Sequence, residues 1–193
     1  DEETRNEFVC LSAGNNDLVQ KQTAVVHGIA MKPADIEHYR RAQTALIWSP
    51  RSNVDLYGTT AEVTTFDNLG VQIALGTDWL PSGSMNIQRE LACVSFLNSK
   101  YYANHFSEEA IWKMVTTNAA FAVGAFDSIG MLKKGYVGDI AIFSADGKRP
   151  HQAAIEAGVE DVLLVLRGGT PLYGDATLVA EPAIGGADCE ELD

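Results

Sequence analysis

The chain has 193 residues, 46% hydrophobic and 21% charged, which is enough to bury a real core and reads as a soluble, globular protein. Its 14 Lys and Arg against 26 Asp and Glu leave a formal charge of −12 with no basic cluster, which argues against nucleic acid or an anionic membrane as partner. No apolar run approaches the roughly 18 residues of a membrane span, no signal segment stands at the start, and Cys10, Cys93 and Cys189 lie far apart without a C-x-x-C pair, so a reducing, cytoplasmic compartment is expected.

Residues 2–13 carry Phe8 and Leu11 among polar neighbours, a short helix that Gly14-Asn15-Asn16 stops. Thr23-Ala24-Val25-Val26 reads as a buried strand followed at once by His27-Gly28. Pro33 suits a first helical turn, with Asp35 and Glu37 near the positive end of that helix and Arg40 and Arg41 near its negative end. Ala45-Leu46-Ile47-Trp48 is the next strand and empties into a polar loop, Ser49-Pro50-Arg51-Ser52-Asn53. Thr59-x-x-Glu62 has the capping-box pattern and predicts a helix with Val63, Phe66 and Leu69 on one side.

The third strand, Val71 to Leu75, runs through Gly76-Thr77 into Asp78, and Trp79-Leu80-Pro81-Ser82-Gly83 turns the chain toward a helix from Asn86. Helical spacing continues through Ile87, Leu91, Val94 and Leu97, a second helix starts at Ser107-Glu108-Glu109, and Thr117 to Phe126 is a small-residue helical run. This αβαβαβαα order, without hairpin signals, predicts parallel strands joined by crossovers over residues 1–126. From Asp127 the pattern changes to a small β-rich unit over 127–180, with strands at Ile140–Phe143, Val162–Leu166 and near Ala176–Val179 and a hairpin corner at Arg167-Gly168-Gly169-Thr170-Pro171. Residues 181–193 form an acidic tail that is expected to be loosely ordered.

His27, the Ser49–Asn53 loop and Asp78 each follow an apolar strand directly, so parallel strands would bring all three to one face. There, a neutral imidazole, a carboxylate and a set of hydroxyl and amide donors could orient and deprotonate a water and hold a substrate. Each also has a plainer reading: Asp78 as a loop-capping aspartate, His27 as a hydrogen-bonded structural residue. Ser82-Gly83-Ser84 before a helix is a weaker pointer to a phosphate site.

Five motifs in order, His27-Gly28, Trp48-Ser49-Pro50-Arg51-Ser52-Asn53 with Leu56-Tyr57-Gly58, Leu75-Gly76-Thr77-Asp78, Thr117-Asn118-Ala119-Ala120 and Gly135-Tyr136-Val137-Gly138-Asp139-Ile140, resemble the metal-dependent amidohydrolases. The branch they look like is the one with aminohydrolases and chlorohydrolases. The resemblance implies an α/β fold, the C-terminal part of a (β/α)8 TIM barrel at about strands 6–8, followed by the small β-rich domain. It implies a hydrolase of non-peptide carbon–nitrogen bonds in small cyclic amides, amidines or aminated rings, acting through water activated by one divalent metal, zinc or iron. Asp78 would bind that metal and take the proton of the water, His27 would contact the water or the substrate, and Arg51, Ser52, Asn53 and Trp79 would be substrate-binding candidates.

The chain departs from the family in its histidines: it has four, His27, His38, His105 and His151, and no His-x-His. A catalytic zinc takes about three protein ligands, which Asp78 with at most His27 does not supply. The chain is therefore expected to be the C-terminal portion of a longer enzyme, to bind no metal alone and to be inactive alone. Its expected partners are the rest of that enzyme, a small-molecule substrate and a second copy in a homo-oligomer, since an open barrel leaves uncovered parts of Val25, Leu46, Ile47 and Ile73. The alternative is a metal-free α/β interaction module that keeps the fold.

Overall fold

The structure is a computed structural model and describes residues 2–15, 17–185 and 189–190. It opens with α1 (Glu2–Leu11), β1 (Ala24–Val26), α2 (Pro33–Ala42), β2 (Ala45–Trp48), α3 (Pro50–Tyr57), α4 (Val63–Asn68) and β3 (Ile73–Leu75). The strands form one parallel sheet in the order β1-β2-β3, with Val25 beside Leu46 and Leu46 beside Ile73. Side chains alternate across a strand, so Val25, Leu46 and Ile73 share the face that the helices cover, and Val26, Ile47 and Ala74 share the other. Leu46 and Ile73 are accordingly buried in the main core with Ile36, Tyr39, Phe66 and Leu91, while Val26 is half exposed. The apolar face expected to lie open is thus corrected: Leu46 and Ile73 are buried, Val25 is partly buried against the core, and of the four residues named only Ile47 shares a row with the half-exposed Val26, a row in which Ala74 is buried.

Helix α2 starts at Pro33, whose missing N–H costs nothing in a first turn. Asp35 accepts the Lys32 main-chain N–H at 2.9 Å and receives Arg5 Nε and Nη2 at 2.7 and 2.8 Å, a two-pronged tie from α1 to α2. The Arg5 hydrogen bond holds the Asp35 carboxyl below its usual range. A depressed folded pKa means that this stabilisation is complete above about pH 5 and is lost as pH falls through the folded value. Asp35→Asn is expected to lower the thermal midpoint at pH 7, with the difference from wild type shrinking toward pH 3 in melting curves.

Two local expectations do not hold. The Ser49–Asn53 stretch is the start of α3, with Pro50 at its first position and the Asn53 N–H bonded to the Ser49 carbonyl at 2.9 Å. The Thr59-x-x-Glu62 pattern caps nothing: α4 begins at Val63 with Glu62 at the N-cap and no side-chain cap bond.

Beyond β3 come α5 (Ile87–Tyr101), capped by Asn86 Oδ1 on the Arg89 N–H, α6 (Glu108–Met114), capped by Ser107 Oγ on the Ala110 N–H, and α7 (Thr117–Ala122), shorter than expected. Asn118 of α7 donates to the Ile73 carbonyl at 2.9 Å and ties this helix to β3.

The rest of the chain contains β4 (Ile140–Phe143), α8 (Pro150–Ile155), β5 (Val162–Arg167), β6 (Thr170–Gly174) and α9 (Ala176–Val179). The last three strands form an antiparallel sheet, turning at Gly168-Gly169 between Arg167 and Thr170. Its third strand is β6 and not Ala176–Val179, which forms a helical turn capped by Asp175. Helix α8 packs on α5 and α6, and Ile155 joins the main core. Residues 186–188 and 191–193 of the acidic tail lie outside the described residues. Among the described residues no helix is long and apolar enough to cross a membrane.

Candidate active site

The parallel sheet delivers His27, Ser49 and Asp78 to the same end, because each strand stops one to three residues before them. His27 and Asp78 both leave their strands in the left-handed region, at φ 69° and 54°. His and Asp tolerate this conformation better than most side chains, yet it still costs about 1–3 kcal/mol and persists where the surroundings enforce it. The β2–β3 ladder carries on one step through the Gly76 N–H to the Trp48 carbonyl at 3.0 Å. A Cβ on Gly76 would stand 2.9 Å from Ile47 Cγ2, so a larger residue would have to displace that side chain.

Beyond Asp78 the loop folds on itself. The Ser82 and Gly83 amides donate to the Trp79 carbonyl at 3.2 and 2.7 Å, and the Ser84 amide donates to the Thr77 carbonyl at 2.9 Å. Those amides are spent inside the loop, which removes the basis for a phosphate site at Ser82-Gly83-Ser84.

His27 Nε2 lies 3.6 Å from Asp78 Oδ2. Ser52 Oγ donates a short hydrogen bond to the same carboxylate oxygen. That bond, with help from the Trp79 main-chain N–H and the nearby imidazole, holds the Asp78 carboxyl below its usual range. Asp78 is therefore ionised at neutral pH and can accept a proton, although the same bond lowers its proton affinity. On the other side of the ring, Asn53 Nδ2 meets His27 Nδ1 at 2.8 Å, and Tyr57 presents a ring edge with centroids 5.8 Å apart.

The sequence candidates therefore divide. His27 and Asp78 come together. Ser52 and Asn53, expected in the substrate pocket, are fully buried and turned onto Asp78 and His27. Arg51 is exposed and reaches the Gly83 carbonyl at 3.4 Å, bracing the Asp78 loop, and Trp79 is 68% exposed beside it.

Two residues went unnoticed in the sequence. Thr60 donates to Asn53 Oδ1 at 3.1 Å. Glu90, fully buried in α5, accepts Ser84 Oγ–H at 2.5 Å, and burial pushes its carboxyl above the usual range. Nothing local marks either one: Thr60 sits in a turn-like stretch, and Glu90 reads as an ordinary first-turn acid.

The amidohydrolase family sequence model matches residues 11–173. The chain belongs to the amidohydrolase family. It is 28% identical over 155 residues to a 5-methylthioadenosine/S-adenosylhomocysteine deaminase of Pyrococcus furiosus, a match covering 79% of this chain and 36% of that protein. The deaminase of the same description from Caldicellulosiruptor saccharolyticus is 29% identical over 141 residues, 72% of this chain and 32% of the relative. The chain thus spans about a third of the length of these relatives.

Among solved structures, a zinc-bound adenosine deaminase from Xanthomonas campestris superposes with a TM-score of 0.74 at 20% identity, over 95% of this chain and 48% of that one. Atrazine chlorohydrolase from Arthrobacter aurescens, complexed with zinc, gives 0.69 at 19% identity, over 82% and 38%. These amidohydrolases share the fold of this chain.

Both of those structures hold zinc, so the donor set here bears directly on a metal. Among the described residues no group of three His, Cys, Asp or Glu side chains could hold an ion. His105 pairs with Asp67 at 2.8 Å and His38 with Asp17 at 3.1 Å, both away from Asp78. The side chains of the described residues do not by themselves make up the roughly three protein ligands that a catalytic zinc takes.

Proposed function

We propose that this chain supplies the His27 and Asp78 part of a hydrolase that cleaves carbon–nitrogen bonds in aminated rings, cyclic amides or amidines. On this reading β1, β2 and β3 are about strands 6–8 of a (β/α)8 barrel, and the site opens where the strands end. The observation that carries it is the 3.6 Å approach of His27 Nε2 to Asp78 Oδ2, from strands β1 and β3 that β2 separates. The match to ring deaminases over most of the chain supports the bond type.

The chemistry follows from the two groups. The imidazole orients the attacking water or a ring heteroatom, and the ionised Asp78 faces the same space as proton acceptor. As the water oxygen bonds to the ring carbon, one water proton passes to the carboxylate. On an aminated ring, delivering that proton to the departing amino nitrogen breaks the C–N bond and releases ammonia. Ser52 keeps Asp78 ionised and aimed, Asn53 aims the His27 ring, and the exposed Trp79 offers an aromatic face at the mouth.

We further infer that Asp78 is the one metal ligand that this chain contributes, the others coming from a longer protein that contains it, and that the chain alone is inactive. Ammonia and halide release would be measured on a panel of methylthioadenosine, adenosine, guanine, aminotriazine and chlorotriazine with added zinc. The 193-residue chain should turn over none of them and the longer protein should release ammonia from at least one, whereas halide release alone would count against the carbon–nitrogen bond type. Robust zinc-dependent turnover by the chain alone would sink the incomplete-site reading, and inactivity of the longer protein on the whole panel would sink the hydrolase reading.

A further inference from the structure

We infer that Trp48 and Thr60 are positioning residues that fix which nitrogen of His27 carries the proton. An indole N–H can only donate, and Trp48 Nε1 lies 2.7 Å from Thr60 Oγ1, so that oxygen is the acceptor. The single hydroxyl proton of Thr60 then goes to its other neighbour, Asn53 Oδ1, at 3.1 Å. This identifies the carboxamide oxygen of Asn53 and leaves its Nδ2 to donate to His27 Nδ1 at 2.8 Å. With Nδ1 accepting, the neutral ring carries its proton on Nε2, the atom that faces Asp78. The opposite amide orientation would bring two donors onto Thr60 and leave the hydroxyl proton without an acceptor.

The direction of the chain matters for chemistry. A proton on Nε2 sets a donor beside the Asp78 carboxylate, so the pair offers one donor and one acceptor to a bound water. A proton on Nδ1 would set two acceptors against each other at 3.6 Å. The relay is anchored in the core: Trp48 and Asn53 are fully buried, and the indole belongs to a three-ring cluster with Tyr102 and Phe106. The consequence for catalysis rests on the proposed role of His27, but the tautomer itself can be read without substrate or turnover. Failure of the hydrolase reading would therefore leave it standing, and the reverse is also true.

Long-range proton–nitrogen NMR on the 15N-histidine-labelled protein at pH 8.5, above the ordinary imidazole range, distinguishes the tautomers, with His27→Gln assigning the signal. Wild type and Thr60→Ser should show Nε2 protonated and Nδ1 bare. Thr60→Val and Trp48→Phe should give a mixture, and Asn53→Asp, whose side chain can only accept, should move the proton to Nδ1. A bare Nε2 in wild type would overturn the inference, as would an unchanged tautomer in folded Thr60→Val and Trp48→Phe. The wild-type spectrum alone decides the first point should a variant fail to fold.

Discussion

Replacing Asp78 with asparagine is expected to lower turnover by at least about two orders of magnitude, the range that loss of a general base implies, while leaving the melting temperature nearly unchanged. Asparagine matches aspartate in size and tolerates the left-handed backbone that Asp78 adopts at φ 54°. It can still accept the Ser52 hydroxyl proton through its oxygen. It loses the charge and the oxygen that would take a proton from water. If Asp78 were only a loop cap, asparagine would serve equally well, and activity would survive. Rate and melting temperature measured together on the longer protein separate these outcomes.

Gly83→Ala should be as damaging by a different route. A Cβ at this position would stand 2.0 Å from the Thr77 carbonyl oxygen and 3.0 Å from that of Trp79. Both are main-chain atoms of the loop that carries Asp78, and main chain yields far less readily than the end of a side chain. The same two carbonyls accept the Ser84 and Gly83 amides, so making room for one methyl group opens the turn. The expected cost is about 2–3 kcal/mol or more in urea unfolding, at the upper end of overpacking effects, together with loss of activity as Asp78 moves. Wild-type stability and rate in this variant would mean that the loop rearranges freely and does not hold Asp78 in place.

What could be read from the sequence, and what could not, follows from the range of the interactions. The parallel sheet was legible because Ala45–Trp48 and Ile73–Leu75 are short apolar runs closed by abrupt polar residues, a pattern that needs no knowledge of tertiary contacts. The placement of His27 and Asp78 at one end of the sheet was legible for the same reason. The polar stretch after β2 was misjudged because Ser, Arg and Asn suggest a loop, whereas Pro50 at a first helical position was the stronger local cue and α3 begins there. The apparent capping pattern at Thr59 failed because the neighbouring Thr60 is engaged with Trp48 and Asn53, partners 12 and 7 residues away. Burial of Ser52, Asn53 and Glu90 was invisible in principle, since polar residues at helical spacing look like a solvated face until another element covers them. Two of the five family motifs are structural in this chain: Asn118 ties α7 to β3, and Asp139 accepts the Gly168 N–H at the start of the hairpin between β5 and β6.

His27 and Asp78 are expected to act as one unit in the reaction, and a double-mutant cycle on ammonia release by the longer protein measures whether they do. Groups that work as a unit are strongly non-additive, because removing either one already disables the pair. His27→Ala with Asp78→Asn is therefore predicted to be no more than about a few-fold slower than the slower single variant. A double variant whose loss equals the product of the two single losses would show that the residues act independently and not as a pair.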